Sequence, residues 1–272
     1  MSLITITTGI ACGGMATARR VAEELGLVLY DDDRVQEEAV NMSFSSEDMK
    51  SFDQTAPGLL TRLLRRRPAE YLEMMAAAVY EVARRGEGII CGNGAPYFLR
   101  DFGCALHLRI HASENFRVER LMEQKKISQE EARKLIEKGD SDLKGFMQFS
   151  FQMDWNDIGL YDAIINVDKI GIDSAAAQII AMARTQQIQA CSLTALETME
   201  KLSLLKRVEA AILKNNVNPQ ELFFEVPETG VVKITGLINP MRTVGGVLEI
   251  VRAVPGVQDV ICEAERHPMA NI

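Results

Sequence analysis

Short apolar runs and stretches of helical spacing alternate along the first two thirds of the chain. Leu3-Ile4-Thr5-Ile6 predicts a buried strand, and Ala16 to Leu25 carries apolar residues at helical spacing. Leu27–Tyr30, Gly88–Cys91, Cys104–His111 and Tyr161–Asn166 predict four more strands. Residues 34–85 read as mostly helical, broken near Thr55-Ala-Pro-Gly58 and Pro68, with a helix over Tyr71–Arg85 that stops at Gly86. Ser113 caps a helix over Glu114–Glu123, and Ser128 with Glu131 forms a capping box for one running to about Lys138. Ser174–Gln189 predicts the last helix of this part. Strands alternating with helices mean a parallel α/β sheet, with ligands held at the carboxyl ends of its strands.

The pattern then changes. Residues 186–195 are polar and read as a helix end and linker. Leu196, Met199, Leu202, Leu205, Val208 and Ile212 mark an amphipathic helix. Leu222–Val226 and Val231–Thr235 are strands joined by Pro227-Glu-Thr-Gly230. Val244, Val247, Leu248 and Val251 mark a second helix, and Pro255-Gly256 turns into a last strand, Val257–Cys262. Two domains follow: an α/β domain over 1–188 and a small α+β unit over 196–266, in the order α-β-β-α-β.

A chain of 272 residues, 47% hydrophobic, is long enough for two unequal cores. Its net charge of -8 argues against a nucleic-acid partner, which needs a basic footprint, and against attachment to anionic lipid by bulk charge. No apolar run approaches the ~20 residues of a membrane span. The five cysteines, Cys12, Cys91, Cys104, Cys191 and Cys262, match no zinc or disulfide spacing. The N-terminus enters a strand with no secretory pattern. The expectation is a reduced, cytoplasmic protein with no membrane span and no metal site, and with homo-oligomerisation left open.

The chemistry concentrates in Gly9-Ile-Ala-Cys-Gly-Gly14. Strand, glycine-rich turn and helix are the context of a phosphate-binding P-loop, whose pattern is Gly, four residues, Gly, Lys, then Ser or Thr. Here the lysine position is Met15 and the hydroxyl position is Ala16. Backbone N–H groups of Ala11 to Met15 at a helix N-terminus still suit an anion, without the cation or the magnesium-binding hydroxyl. Gly9, Ala11, Cys12, Gly13, Gly14, Met15, Ala16 and Thr17 are therefore the candidate nucleotide-binding residues; Thr17 lies one position late for the hydroxyl. The plainer alternative is a strand-to-helix turn whose glycines serve sterics alone.

Other polar clusters have two readings each. Asp31-Asp32-Asp33 suits a magnesium ion or a ribose, or a helix cap. Cys12 and Cys91 are a thiol pair if their strands are neighbours, or inert filler. His107, Arg109 and His111 alternate on one strand face; the histidines, ~13 Å apart, are too distant for one metal, so the face is a covered or edge polar one. Arg62 and Arg65–Arg67 form a basic run, either a solvated helix end or a supply of cations.

The order and spacing of several segments resemble the cytidylate-kinase-like branch of P-loop nucleoside monophosphate kinases. These are the Gly-Gly opening with Ala18-Arg-Arg-Val-Ala-Glu-Glu-Leu-Gly26 and Tyr30-Asp31, then Gly92-Asn-Gly-Ala95, Leu106–Ala112, Arg117-Val-Glu-Arg120, Asp154-Trp155 and Tyr161–Asn166. The last part, with Gly230-Val-Val-Lys-Ile-Thr-Gly236 and Pro255-Gly-Val257, resembles a BON domain, a type associated with membrane attachment or ligand sensing. The first resemblance implies a helical insertion at about 34–85, a lid at about 125–150, ATP and Mg2+ as cofactors, and transfer of phosphate to CMP or a similar acceptor. It makes Asp31, Gly92 and Asn93 acceptor-binding candidates and Arg117, Arg120 and Lys144 catalytic ones. It also exposes losses: the family's cations fall here on Met15, Asn93, Leu143 and Thr8. Phosphoryl transfer needs charge neutralised around a polyanion. The expectation is a degenerate site that binds a nucleotide or phosphate compound, with an active kinase using displaced cations, or an assembly protein with a vestigial site, as alternatives.

Overall fold

The computed structural model describes residues 2–42, 68–92, 94–190, 193–215, 217, 221–238 and 244–266. Asn93, Arg62 and the Arg65–Arg67 run lie outside the described residues.

Five parallel strands form the first sheet: β1 (Leu3–Thr8), β2 (Leu29–Tyr30), β3 (Gly88–Cys91), β4 (Ala105–His111) and β5 (Ala163–Asn166), in the order β2-β3-β1-β4-β5. Leu3, Ile4 and Ile6 of the central strand are fully buried, and so is Thr5 between them, as in a strand covered on both faces. On one face, α1 (Gly14–Leu25) and α7 (Val167–Ala183) pack through Ala18, Val21, Ala175 and Ile179. On the other lie α2 (Asp32–Asn41), α3 (Pro68–Arg84) and the short α4 (Ala95–Phe98). The hairpin of α5 (Glu114–Lys125) and α6 (Gln129–Phe151) reaches over the carboxyl ends of the strands.

Both predicted caps form. Ser113 accepts from Phe116 N, and Ser128 and Glu131 make the reciprocal capping box. Helix α6 does not stop near Lys138 but continues to Phe151. A glycine inside a helix costs about 1 kcal/mol. Here Ile136 and Met147, buried on either side of Gly139, offset it. The last helix of the domain starts earlier than predicted, at Val167, and bends at Gly171 (φ 74°). The cysteines depart from the all-reduced expectation: Cys104 is disulfide-bonded, whereas Cys12, Cys91 and Cys262 are free.

His107 of β4 shows how the sheet buries a polar face. Its Nε2–H donates to the Leu99 carbonyl (3.1 Å) and its Nδ1 accepts from the Thr5 hydroxyl (2.8 Å), a pair of bonds that the neutral ring satisfies. Burial holds its pKa below the ordinary 6.5. The unfolded chain therefore binds a proton that the native state refuses. Stability is complete above the ordinary value and is lost as pH falls through it toward the lower native one. Urea midpoints taken at about pH 7.5 and about pH 5.5 are expected to fall further for the wild type than for His107→Gln.

Beyond α8 (Gln186–Gln189), α9 (Leu193–Lys214) begins inside the stretch expected to be a linker. It is apolar on two sides because it serves two cores. Met199 and Ala210 pack with α3, while Leu204, Val208 and Ile212 pack with the second sheet. Ser203, fully buried, donates to the Ala77 carbonyl (3.2 Å), and Lys206 bridges Glu73 (2.8 Å) and Glu209 (2.7 Å). In the second sheet, β6 (Leu222–Glu228) pairs antiparallel with β7 (Val231–Ile238). After α10 (Val244–Arg252), β8 (Asp259–Cys262) and β9 (Glu265–Arg266) both pair parallel with β7. The predicted α-β-β-α-β order is present, with β9 added. Gly236 (φ 104°) has no substitute, because a Cβ there would meet the Glu221 carbonyl oxygen. Among the described residues no helix is long and apolar enough to cross a membrane.

Candidate functional site

The glycine loop leaves β1 at the middle of the sheet, where the strand order reverses and open α/β sheets bind ligands. Ala11 (φ 59°) and Gly13 (φ 84°) are left-handed and fold the chain back onto α1. Gly13 caps α1 without a side-chain hydrogen bond, which leaves the first-turn N–H groups available to an anion. Thr8 leans over the start of the helix: a Cβ on Gly14 would lie 2.6 Å from Thr8 Cγ2. Thr8 thus leaves room at position 14 for a glycine alone. Met15 packs half-buried against the apolar core, and buried Thr17 donates its hydroxyl to the Gly13 carbonyl (3.1 Å).

The residues present do not fit a magnesium ion held by the loop. Position 16 has no hydroxyl, and that of Thr17 is buried and already bonded inward. No group of three or more His, Cys, Asp or Glu with metal-holding geometry occurs among the described residues.

In front of the loop is a cavity of about 400 Å³, within the ~300–1,000 Å³ typical of small-molecule sites. Gly9 and Cys12 of the loop, Arg109 and His111 of β4, Arg117 of α5, Asp140 and Lys144 of α6, and Trp155 and Asn156 line it. Among the described residues three cations therefore face one carboxylate. Of the catalytic candidates, Arg117 and Lys144 are brought together here; Arg120, half-buried on α5, is not among the lining residues.

The cations differ in how free they are. Arg117 is buried and fully engaged: Nε donates to the Ile10 carbonyl (2.8 Å), and its two terminal nitrogens grip Asp140 (2.8 and 2.7 Å). The same α6 turn rests on the loop, since a Cβ on Gly139 would collide with the end of Ile10. Helix α6 and the loop are thus clamped together. Arg109, also buried, lies over the Trp155 ring (4.4 Å to its centre) and donates to the Trp155 carbonyl (3.4 Å) and to Asn156 Oδ1 (2.8 Å). The Tyr161 hydroxyl donates to that Trp155 carbonyl as well (2.8 Å), fixing the loop that carries the ring.

At the carboxyl end of β2 the aspartates take different parts, one of them the helix cap that was one of their two readings. Asp31 is the N-cap of α2, accepting from Arg34 N (3.0 Å). Asp32 approaches the end of β3: a Cβ on Gly92 would lie 2.6 Å from its Oδ1. The neighbouring-strand geometry expected for Cys12 and Cys91 is present, with β1 beside β3. Burial, however, raises both thiols, that of Cys91 to about 12, so neither is a thiolate near neutrality. Arg19 and Arg20 are exposed, and Arg20 pairs with Asp173.

Sequence reasoning placed Arg109 only on a polar strand face. Its position two residues before the end of a strand in a parallel sheet was the available signal, because that end faces the ligand crevice. Trp155 offered none beyond the family resemblance, and Asn156 none at all.

The sheet order, the loop at its switch point and the covering hairpin are those of a P-loop kinase α/β fold. Residues 3–169 match the cytidylate kinase-like family, and the chain belongs to that family. No curated protein matches it. Among solved structures, an uncharacterized protein from Eubacterium ventriosum is 20% identical with a TM-score of 0.55, over 68% of this chain and 100% of that one. A shikimate kinase from Bacteroides thetaiotaomicron is 16% identical with a TM-score of 0.42, over 68% and 99%. A gluconokinase from Sinorhizobium meliloti is 13% identical with a TM-score of 0.43, over 70% and 98%. The first of these likenesses speaks to the fold.

Proposed function

We propose that the protein binds a nucleotide or another phosphate-bearing small molecule at the mouth of the Gly9–Gly14 loop, and transfers phosphate slowly or not at all. One observation carries the binding half: a single cavity joins the loop to Arg109, Arg117 and Lys144. The impaired half rests on chemistry. Each preorganised transition-state donor is worth ~10²–10³ in rate. Met15 and Ala16 remove two groups the loop supplies, and Asp140 neutralises the arginine that leans on it. The alternative, an active nucleoside monophosphate kinase with relocated cations, draws support from Arg109 and Lys144 in the same cavity. For the C-terminal unit, the α-β-β-α-β order supports a BON-like module that senses a ligand or self-associates.

Titration calorimetry with ATP, ADP, CMP and CDP, with and without magnesium, alongside an assay of CDP formation, tests this reading. Binding without turnover is the expected result. Magnesium-dependent binding with turnover at ordinary kinase rates would overturn the impaired half. No binding at millimolar ligand would overturn the whole.

A further inference from the structure

We propose that Arg109 is the principal anion ligand of this cavity, standing in for the cation that the loop has lost at Met15. The inference rests on the binding reading above and names the residue that performs it. Two buried arginines face the cavity, and only one is neutralised. Arg117 is held by both oxygens of Asp140 and by the loop carbonyl. Arg109 has no carboxylate within ion-pair distance among the described residues; its partners are a backbone carbonyl, an amide oxygen and the face of an indole.

A buried charge is retained in proteins where something pairs with it. The indole face supplies part of that. Asp154, exposed nearby, supplies a little more: its carboxyl is held below the ordinary range, first by the Asn156 N–H and to a lesser degree by Lys144 and Arg109. The remaining charge is directed at the cavity, and a guanidinium presents a planar fork that matches phosphate oxygens two at a time. Lys144, exposed on α6 at the same cavity, adds a second cation. Trp155 and Asn156 hold the fork's inner edge, and Tyr161 in turn holds Trp155. Arg109 is thereby pre-oriented before any ligand arrives, which lowers the cost of binding.

The arrangement provides its own reporter. Trp155 is the chain's only tryptophan and lies directly beneath Arg109. An anion drawn to the guanidinium must change the field at the indole. The full-length protein is titrated with pyrophosphate, then with ATP and CMP, and binding is followed by Trp155 emission and by calorimetry. Wild type is expected to bind pyrophosphate and ATP with a change in emission, and Arg109→Gln to bind both about 10- to 100-fold more weakly. Arg109→Lys keeps the charge and the stem over the ring but loses the fork, so a smaller, several-fold loss is expected; it also decides the matter if Arg109→Gln fails to fold. Ligand binding by wild type with unchanged affinity in the folded variants, or with unmoved Trp155 emission, would overturn the role of Arg109 and leave the binding reading standing. Absence of binding by wild type would overturn both.

Discussion

Asp140→Asn is expected to bind pyrophosphate and ATP roughly tenfold more tightly than wild type while unfolding at a lower temperature. The opposite signs follow from one contact. Among the described residues Asp140 is the only carboxylate lining the cavity, and it neutralises Arg117 at 2.7 Å. To an incoming phosphate it is both a repelling charge and a competitor for the guanidinium. The asparagine is nearly isosteric and removes the charge, so repulsion disappears and Arg117 is released toward the ligand. In the empty protein the same change leaves a buried arginine with the Ile10 carbonyl and a neutral amide. Breaking a fully buried pair by removing one partner costs ~3–5 kcal/mol. The Asp140 side chain is 33% exposed, so water screens part of this, and a loss of about 1–2 kcal/mol is the reasonable figure. Calorimetry reads the first effect and a thermal melt without ligand reads the second. Weaker binding by a folded Asp140→Asn protein would show that Asp140 orients Arg117 for the ligand instead of competing for it.

The sheet was legible because its strands are short, largely apolar runs between glycines and helical stretches, and β1 and β3 are covered on both faces. Gly88–Cys91 forms the strand it predicts, and both serine caps form because their chemistry is local. What was not legible depends on contacts distant in sequence. The apolar positions of α9 cannot show which of two cores each one enters, and the polar stretch over 186–195 reads as a linker although the helix starts at Leu193. Asp31 and Asp32 differ only in which way the helix start turns them: one becomes a cap and the other meets Gly92. The balance of charge at the site was hardest to read. A tally of cations along the family pattern counts Arg117 as present, yet the fold spends its charge on Asp140, twenty-three residues away. The same tally passes over Arg109, whose value comes from burial beside Trp155.

Met15→Lys is expected to raise CDP formation by about 10²-fold over whatever the wild type shows, and to make ATP binding more salt-sensitive. Lysine has nearly the length and flexibility of methionine. Met15 is only half-buried, so the new stem can lie along the same apolar surface while the ammonium reaches the loop mouth. There it supplies a charge to phosphate oxygens already facing the first-turn N–H groups of α1. Met15→Gln is the comparison: similar length, polar and uncharged, with no expected gain in rate. The double variant Met15→Lys, Arg109→Gln separates the two cations. If Arg109 has taken over the position of the missing lysine, the new lysine restores much of the affinity that Arg109→Gln loses, and the effects are not additive. Additive effects mean the two cations serve different oxygens of the ligand. No gain in rate from Met15→Lys, in a folded protein that binds ATP, would place the obstacle to transfer elsewhere, in the uncovered hydroxyl position at Ala16 or in an acceptor other than CMP.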